Sequence, residues 1–421
     1  MTTRLRRKAS ARQGGGWRVF SACFLTSVSC LLTSVNIGCA LQQQKDTAPQ
    51  DKPLAAFQTN LLQTAFDFAT AIPVVPHIKD RSRSQEAVVT ACLQLDQPQR
   101  ALGYIGNIGN WRKGVGYADY AFYCAGQGFT NDVQRYLNLA EEISTIADQD
   151  WRRDRIKVRV SQTHRILGQE KLSEKIATNL EKSESGKVEQ TQAAMCETDD
   201  FQRQIDDLEK MIAVADFDQT KNALYALAEL FNRFYAETER RNLSEEKIKS
   251  LWSPMPLFVR IELLEKLAEF AIGHDDLPNA LALTNEGQAI ADSAEWPVEY
   301  RIPLMARLAA LRFRSGEPVQ ARESLRLVTE LYTERHQEII DIERTEALLP
   351  VAKAFQIAGD TQSALSIYKK AVAAAMENPN NRPRAEDISA ICVSMALNSV
   401  EPDEALWRRI REIQANLGDP W

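Results

Sequence analysis

The feature that most constrains this chain is a turn that returns at a fixed interval. Gly316-Glu317-Pro318-Val319-Gln320-Ala321 and Gly359-Asp360-Thr361-Gln362-Ser363-Ala364 are its clearest copies; Asp275-Asp276-Leu277-Pro278-Asn279-Ala280 and Glu401-Pro402-Asp403-Glu404-Ala405 are related to them. The alanines stand at 280, 321, 364 and 405, a period of 41 to 43 residues. A glycine accepts the left-handed conformation that ends one helix, an acid or proline suits the first turn of the next, and a small alanine lets two antiparallel helices approach closely. Past residue 53, apolar residues recur at spacings of three and four with hardly any strand-like alternation, so the fold class is all-α. Units repeating at this period bury their apolar faces only against their neighbours, which predicts an α-solenoid.

The unit from Leu348 to Ala371 carries Ala352, Phe355, Gly359, Asp360, Ala364, Tyr368 and Ala371, and resembles the tetratricopeptide (TPR) repeat in residue type and spacing. Other units resemble it in part. Ala121, Gly128, Leu137 and Ala140 fit, with Val133 in place of the turn alanine, and Gly168 is followed by Ser173 at that position. Asn110-Trp111-Arg112 and Asp150-Trp151-Arg152 stand 40 residues apart, each 17 residues before one of these glycines, as one duplicated unit would. Helices are also expected to pair around Asp96 to Ala101 and around Asp218 to Ala223. The period exceeds the roughly 34 residues of a standard unit, so the repeats are lengthened.

This resemblance implies a right-handed solenoid of antiparallel hairpins, a TPR-like superhelix, in which the first helix of each hairpin faces the concave side. Counting back from the turns then points Phe122, Arg155, Gln162, Arg165, Glu265, Glu269, Lys353 and Gln356 into a partner-binding groove. That groove is basic and aromatic at one end and acidic nearer its middle. The last helix, with Arg408, Arg409, Arg411 and Glu412, reads as a solvated cap.

The expected organisation has N-terminal repeats over 54–182 and C-terminal repeats over 199–421. Between them, Ser183, Glu184, Ser185 and Gly186 suggest a linker over 183–198. Ser253-Pro254-Met255-Pro256 marks a second break.

The first forty residues read differently. Arg4, Arg6, Arg7, Lys8, Arg12 and Arg18 precede an apolar run over 19–37, the order of an export signal, and a polar linker over 41–53 follows. Three endings are open: cleavage after Ala40, acylation of Cys39 at the lipobox-like Ile37-Gly38-Cys39, or an uncleaved anchor over 19–37 attaching the protein to a membrane. All place it outside the cytoplasm, in the periplasm or envelope. Without residues 1–40 the chain keeps 45 basic against 57 acidic residues, a formal charge of −12, which disfavours nucleic acid as a partner.

No sequence pattern points to catalysis, a cofactor or a metal. His77, His164, His274 and His336 are far apart and outside any metal spacing, and no Walker loop, dinucleotide fingerprint or nucleophile elbow occurs. Asp216-Phe217-Asp218 opens like a calcium loop, but Lys221 and Leu227 stand where glycine and a bidentate glutamate are required. Cys92, Cys124, Cys196 and Cys392 are scattered; Cys92 and Cys124 are positioned for a disulfide only if their helices are neighbours. The expectation is an exported scaffold that binds other proteins and is not an enzyme. The alternatives are a membrane-anchored envelope-assembly lipoprotein and a helical cell-wall-active enzyme domain.

Overall fold

The computed structural model describes residues 48–421, and these form helices with no strand among them. The N-terminal half runs α1 (Ala56–Ala71), α2 (Val74–Gln94), α3 (Pro98–Ile105), α4 (Arg112–Gly126), α5 (Val133–Thr145), α6 (Asp150–Ile166), α7 (Glu170–Ala177), α8 (Lys182–Ala194) and α9 (Phe201–Val214). The remainder is α10 (Phe217–Arg233), α11 (Thr238–Leu251), α12 (Leu257–Gly273), α13 (Leu277–Asp292), α14 (Val298–Arg314), α15 (Pro318–Arg335), α16 (Asp341–Ile357), α17 (Thr361–Ala375), α18 (Asn381–Leu397) and α19 (Glu404–Ala415). The readings that fall on 1–40, including Cys39 and the apolar run, lie outside the described residues.

The recurring turn is a helix end of one kind. Gly128, Gly168, Gly316 and Gly359 all take positive φ, and so do Asp96, Asp275 and Ser399. At each, the backbone closes the paired bonds of a Schellman motif. At Gly359 these run from its own amide to Gln356 and from the Asp360 amide to Phe355; at Ser399, from its own amide to Ala396 and from Val400 to Met395. Asp360 then caps α17 by accepting from the Ser363 amide at 3.0 Å. The small residue after the turn is buried: Ala280, Ala321 and Ala364, with Val133 and Ser173 in the same role earlier in the chain. Ala405 is exposed, because the last turn is made at Ser399 and Leu406 is the buried residue of α19. The unit around Asp218 also differs, since Asp216 caps α10 between two hairpins and makes no turn within one.

The even-numbered helices from α2 to α18 form one row, each packed on the next. Equivalent residues meet across it at about the sequence period: Trp111 with Trp151, Asp119 with Arg159, Glu265 with Arg307 and Thr345 with Asp387. The spacings of 40 and 42 residues fix the row as parallel. Odd-numbered helices run back along its other side, as the strong pairings α4 with α5, α12 with α13, α14 with α15 and α16 with α17 show.

The segment expected as a linker, 183–198, is mostly α8, a full member of the row packed on α6 and α10. It lacks an apolar stripe because its contact with α10 is made by backbone approach. A Cβ at Gly186 would lie 2.7 Å from that of Asn222. Residues 48–53 run along the α2–α3 turn, where Lys52 pairs with Asp96 at 2.6 Å and Asp51 accepts from the Gln99 amide at 2.7 Å.

The row does not end in two caps. It closes: α18 packs on α2, parallel to it, and α1 runs antiparallel along α18. Gln58 of α1 donates to the Ala396 carbonyl at 2.9 Å, and Ser389 of α18 donates to the Ala65 carbonyl at 2.9 Å. Helix α1 takes the place between α18 and α2 that each odd-numbered helix takes between its own even-numbered neighbours. One apolar cluster accordingly contains Leu61, Phe68 and Val89 with Ile388, Ile391 and Ile410. Arg408, Arg409, Arg411 and Glu412 of α19 are exposed, as a solvated face requires.

Candidate interaction face

Along each even-numbered helix, one stripe at spacings of three and four faces its neighbours in the row. Nine helix–helix junctions make up the circuit, and polar or charged contacts recur from one to the next. Glu86 of α2 binds both Arg112 of α4 and Arg155 of α6, the latter at 2.5 Å. Asp119 of α4 holds Arg159 of α6 at 2.7 Å. Gln162 of α6 donates to the Lys187 carbonyl of α8 at 2.9 Å, and Gln190 of α8 donates to Asn222 of α10 at 3.2 Å. Lys221 and Tyr225 of α10 share Glu262 of α12, while the buried Glu229 and Lys266 pair at 2.8 Å. Glu265 and Glu269 of α12 bind Arg307 and Arg314 of α14. On the far side Thr345 donates to Asp387 at 3.1 Å, and Arg83 with Arg382 joins α2 to α18 through Glu386 and Asp80.

The residues singled out from sequence all lie on this row. Arg155 stands 5.7 Å from the Trp111 ring, and Arg159 covers Phe122 at 4.4 Å. Arg165 is nearly buried and faces Glu189, whose carboxyl is raised by burial against the opposing pull of Arg165. Glu265 is likewise raised by burial despite its two hydrogen bonds from Arg307. Lys353 is exposed, and Gln356 leaves its Oε1 buried without a hydrogen bond. Four of the charged residues read as groove lining, Arg155, Arg165, Glu265 and Glu269, are thus engaged with an adjoining helix. Pairing of this kind sets the row's register as well as its surface charge.

One run of acids along α14, α16 and α18 is less fully paired. Glu299, Glu343 and Glu346 lie near Tyr300, and Glu346 with Glu386 lies near Asp387. The carboxyl of Glu343 is raised by burial and then by Glu299; that of Glu346 by burial and then by Glu343, with only Arg83 opposing. Asp387 lies well above the usual carboxylate range, first through burial and then through Glu386, Glu346 and Asp341, against the Thr345 hydrogen bond. Burial and the neighbouring acids also raise Tyr300. The sequence reading passed over this sector. Its signal was present, because Glu346 and Glu343 precede Lys353 by seven and ten residues, on the same helical stripe.

The remaining chemistry-bearing side chains are built into the packing. The thiols of Cys92, Cys124, Cys196 and Cys392 are buried and unbridged, although α2 and α4 are neighbours. Burial pushes Cys92, Cys124 and Cys392 each up to about 12. His164 meets Gln169 at 2.6 Å, and His274 stacks on Tyr235 at 4.3 Å. Among the described residues no group of acids, histidines and cysteines has the arrangement of a metal site, and no helix is long and apolar enough to cross a membrane. No model of a known protein family matches the chain, and no curated protein matches it.

Proposed function

We propose that this protein is an exported, TPR-like scaffold that holds a segment of another protein against the stripe presented by its even-numbered helices. The single observation that carries the reading is the continuity of that stripe. Nine parallel helices pack side by side in one continuous row, with polar or charged contacts across eight of its nine junctions, in the way repeat proteins assemble extended binding surfaces from units too small to bind alone. At the usual 8–10 Å between helix axes, nine helices closed in a circle leave an opening of about 15 Å, the width of one helix or an extended segment. The acidic sector at α14, α16 and α18 favours basic groups on the segment held there, and the aromatic and arginine-rich stretch at Phe122, Arg155 and Arg159 favours acidic or aromatic ones.

Site-specific photocrosslinking in the native host tests this. A photoreactive residue at Lys353 or Ala390, exposed positions on the row, is expected to give the same protein adduct from both sites, and one at Leu327 on the outer helix α15 is expected to give none of it. Adducts from Leu327 alone would place binding on the opposite surface and sink the reading. Export is tested separately, by the mass of the mature N-terminus: cleavage after Ala40, diacylglycerol on Cys39, or neither.

A further inference from the structure

We propose that the closed row docks by one rim on a lipid bilayer: the rim at which the even-numbered helices begin inserts its apolar tips among the headgroups. Because those helices are parallel and the odd-numbered ones run back, every link from an odd helix to the next even one lies at the same edge of the molecule. Twelve large apolar side chains are exposed among the described residues, and eight of them stand at this edge, against three on the opposite rim. Val75 in α2, Ile146 before α6 and Val214 before α10 are 82%, 78% and 87% exposed, and Trp151, Phe217 and Ile342 are exposed in the first turns of α6, α10 and α16. Tryptophan gathers at the same edge. Trp111, Trp151, Trp252 and Trp296 occupy its links and first turns, and Trp421 is brought there where the Asn381 amide at the start of α18 donates to the Pro420 carbonyl at 2.9 Å. Of the described tryptophans only Trp407 lies elsewhere. An indole joins an apolar body to a polar N–H, which suits it to the boundary between lipid and water.

The spacing of the tips favours lipid over a protein partner. They belong to the first, third, fifth and eighth helices of the row, so neighbouring tips stand two or three helix widths apart, on the order of 20 Å. A protein interface needs one contiguous packed core, whereas lipid closes around each tip separately. Arg152 and Arg153 are paired with Asp148 and Asp150, at 2.7 and 2.9 Å, and Asp216 and Asp218 stand exposed beside Val214. These links offer no surplus of basic charge, so docking rests on apolar insertion and not on anionic headgroups. The chain itself puts a membrane within reach. Ten residues, 38–47, separate the apolar run over 19–37 from Ala48, and extended they span at most about 35 Å. Ala48 lies on the opposite rim, next to Pro49, whose carbonyl accepts from Gln99 of α3, and a 17-residue even helix sets the two rims about 25 Å apart. The length suffices for the run and the docking rim to share one bilayer. Docking does not depend on the reading of the inner face as a binding surface.

Site-specific fluorescence tests this in the full-length protein. An environment-sensitive fluorescent amino acid is placed at Ile146 or Val214 on the docking rim, or at Val319, 73% exposed on the opposite one, and phosphatidylcholine vesicles carrying a nitroxide on the acyl chain are added. Emission at Ile146 and Val214 is expected to fall at least about twofold, with Val319 unchanged. Val75→Glu with Ile342→Glu, both at exposed positions, should abolish the quenching at Ile146 and Val214, because each inserted aliphatic side chain lost weakens docking about tenfold. Equal quenching at Val319 would mean that the apolar run alone holds the protein at the membrane, and none at Ile146 and Val214 would mean that the rim stays in water. Either result overturns the proposal, as does quenching untouched by the double variant. A spectral change at the rim sites that grows with protein concentration before vesicles are added would make the rim a surface for a second copy and would overturn it too.

Discussion

Asp387 shows how a single side chain here can be read for stability. Its folded-state pKa is raised by burial and by neighbouring acids, so the native state holds this proton more tightly than the unfolded chain does. The sign follows from linkage. The contribution is harmless below about pH 3, where the group is protonated in both states, and stability is lost as pH climbs from the ordinary carboxylate range through the raised folded value. Asp387→Asn keeps an acceptor for the Thr345 hydroxyl and removes the charge. It is expected to stabilise the protein at pH 7.5 by about 1 kcal/mol, the scale of one unit of pKa, and to be nearly neutral at about pH 3. Urea midpoints at both pH values check this, and an equal loss of stability at both would defeat the assignment. The residues meeting Asp387 were hard to find from sequence, because Glu346 and Asp387 belong to different repeats and their proximity depends on how α16 and α18 cross. Register counting singles out residues such as Arg155 on α6 and Glu265 on α12, but it does not reveal the partners, Glu86 and Arg307, that take up their charge.

At the scale of the element, the hairpin turn was the most legible part of the chain and also the place where its chemistry was least uniform. Four turns announce themselves by glycine. Asp96, Asp275 and Ser399 take the same left-handed conformation without one, so the turns at those points had to be inferred from the spacing of the others. The last was placed near Glu401 because Pro402 and Asp403 look like a helix start, which Asp403 indeed caps by accepting from the Leu406 amide, whereas the reversal itself falls at Ser399. Asp275 is exposed, so replacing it isolates the backbone term. Asp275→Gly should stabilise by about 0.5–1 kcal/mol, and Gly359→Ala should destabilise by about 1 kcal/mol, both read from denaturant midpoints with unchanged slopes. If Asp275→Gly proved destabilising, the left-handed turn would not be the feature that unites the repeats. Helix α8 is the opposite case: its small residues, Gly186 above all, are what let it approach α10, and the same residues made it look like a linker.

For the whole molecule, the period in the sequence implies a solenoid but contains no information about closure, which depends on the rotation added at each of nine junctions and is sealed by contacts such as Gln58 to Ala396, 338 residues apart. Closure changes how damage spreads. In an open array each repeat leans only on its sequence neighbours, so loosening the last hairpin leaves the first untouched. Here one apolar cluster joins the two ends, and Ile391 of α18 is fully buried in it. Ile391→Ala, a truncation that costs about 2–5 kcal/mol in a packed core, should therefore accelerate amide exchange in α1 and α2 as well as in α16 to α18. Helices α10 and α12 sit in a separate apolar cluster on the other side of the circuit and should change least. Peptide-resolved hydrogen exchange distinguishes the two architectures directly. In a ring the effect ranks by distance around the circuit, so that α1, more than three hundred residues from the substitution in sequence, responds more than α12. Were the response to fall off with sequence distance instead, with α1 quieter than α12, the two ends would not share a core and the chain would behave in solution as an open solenoid.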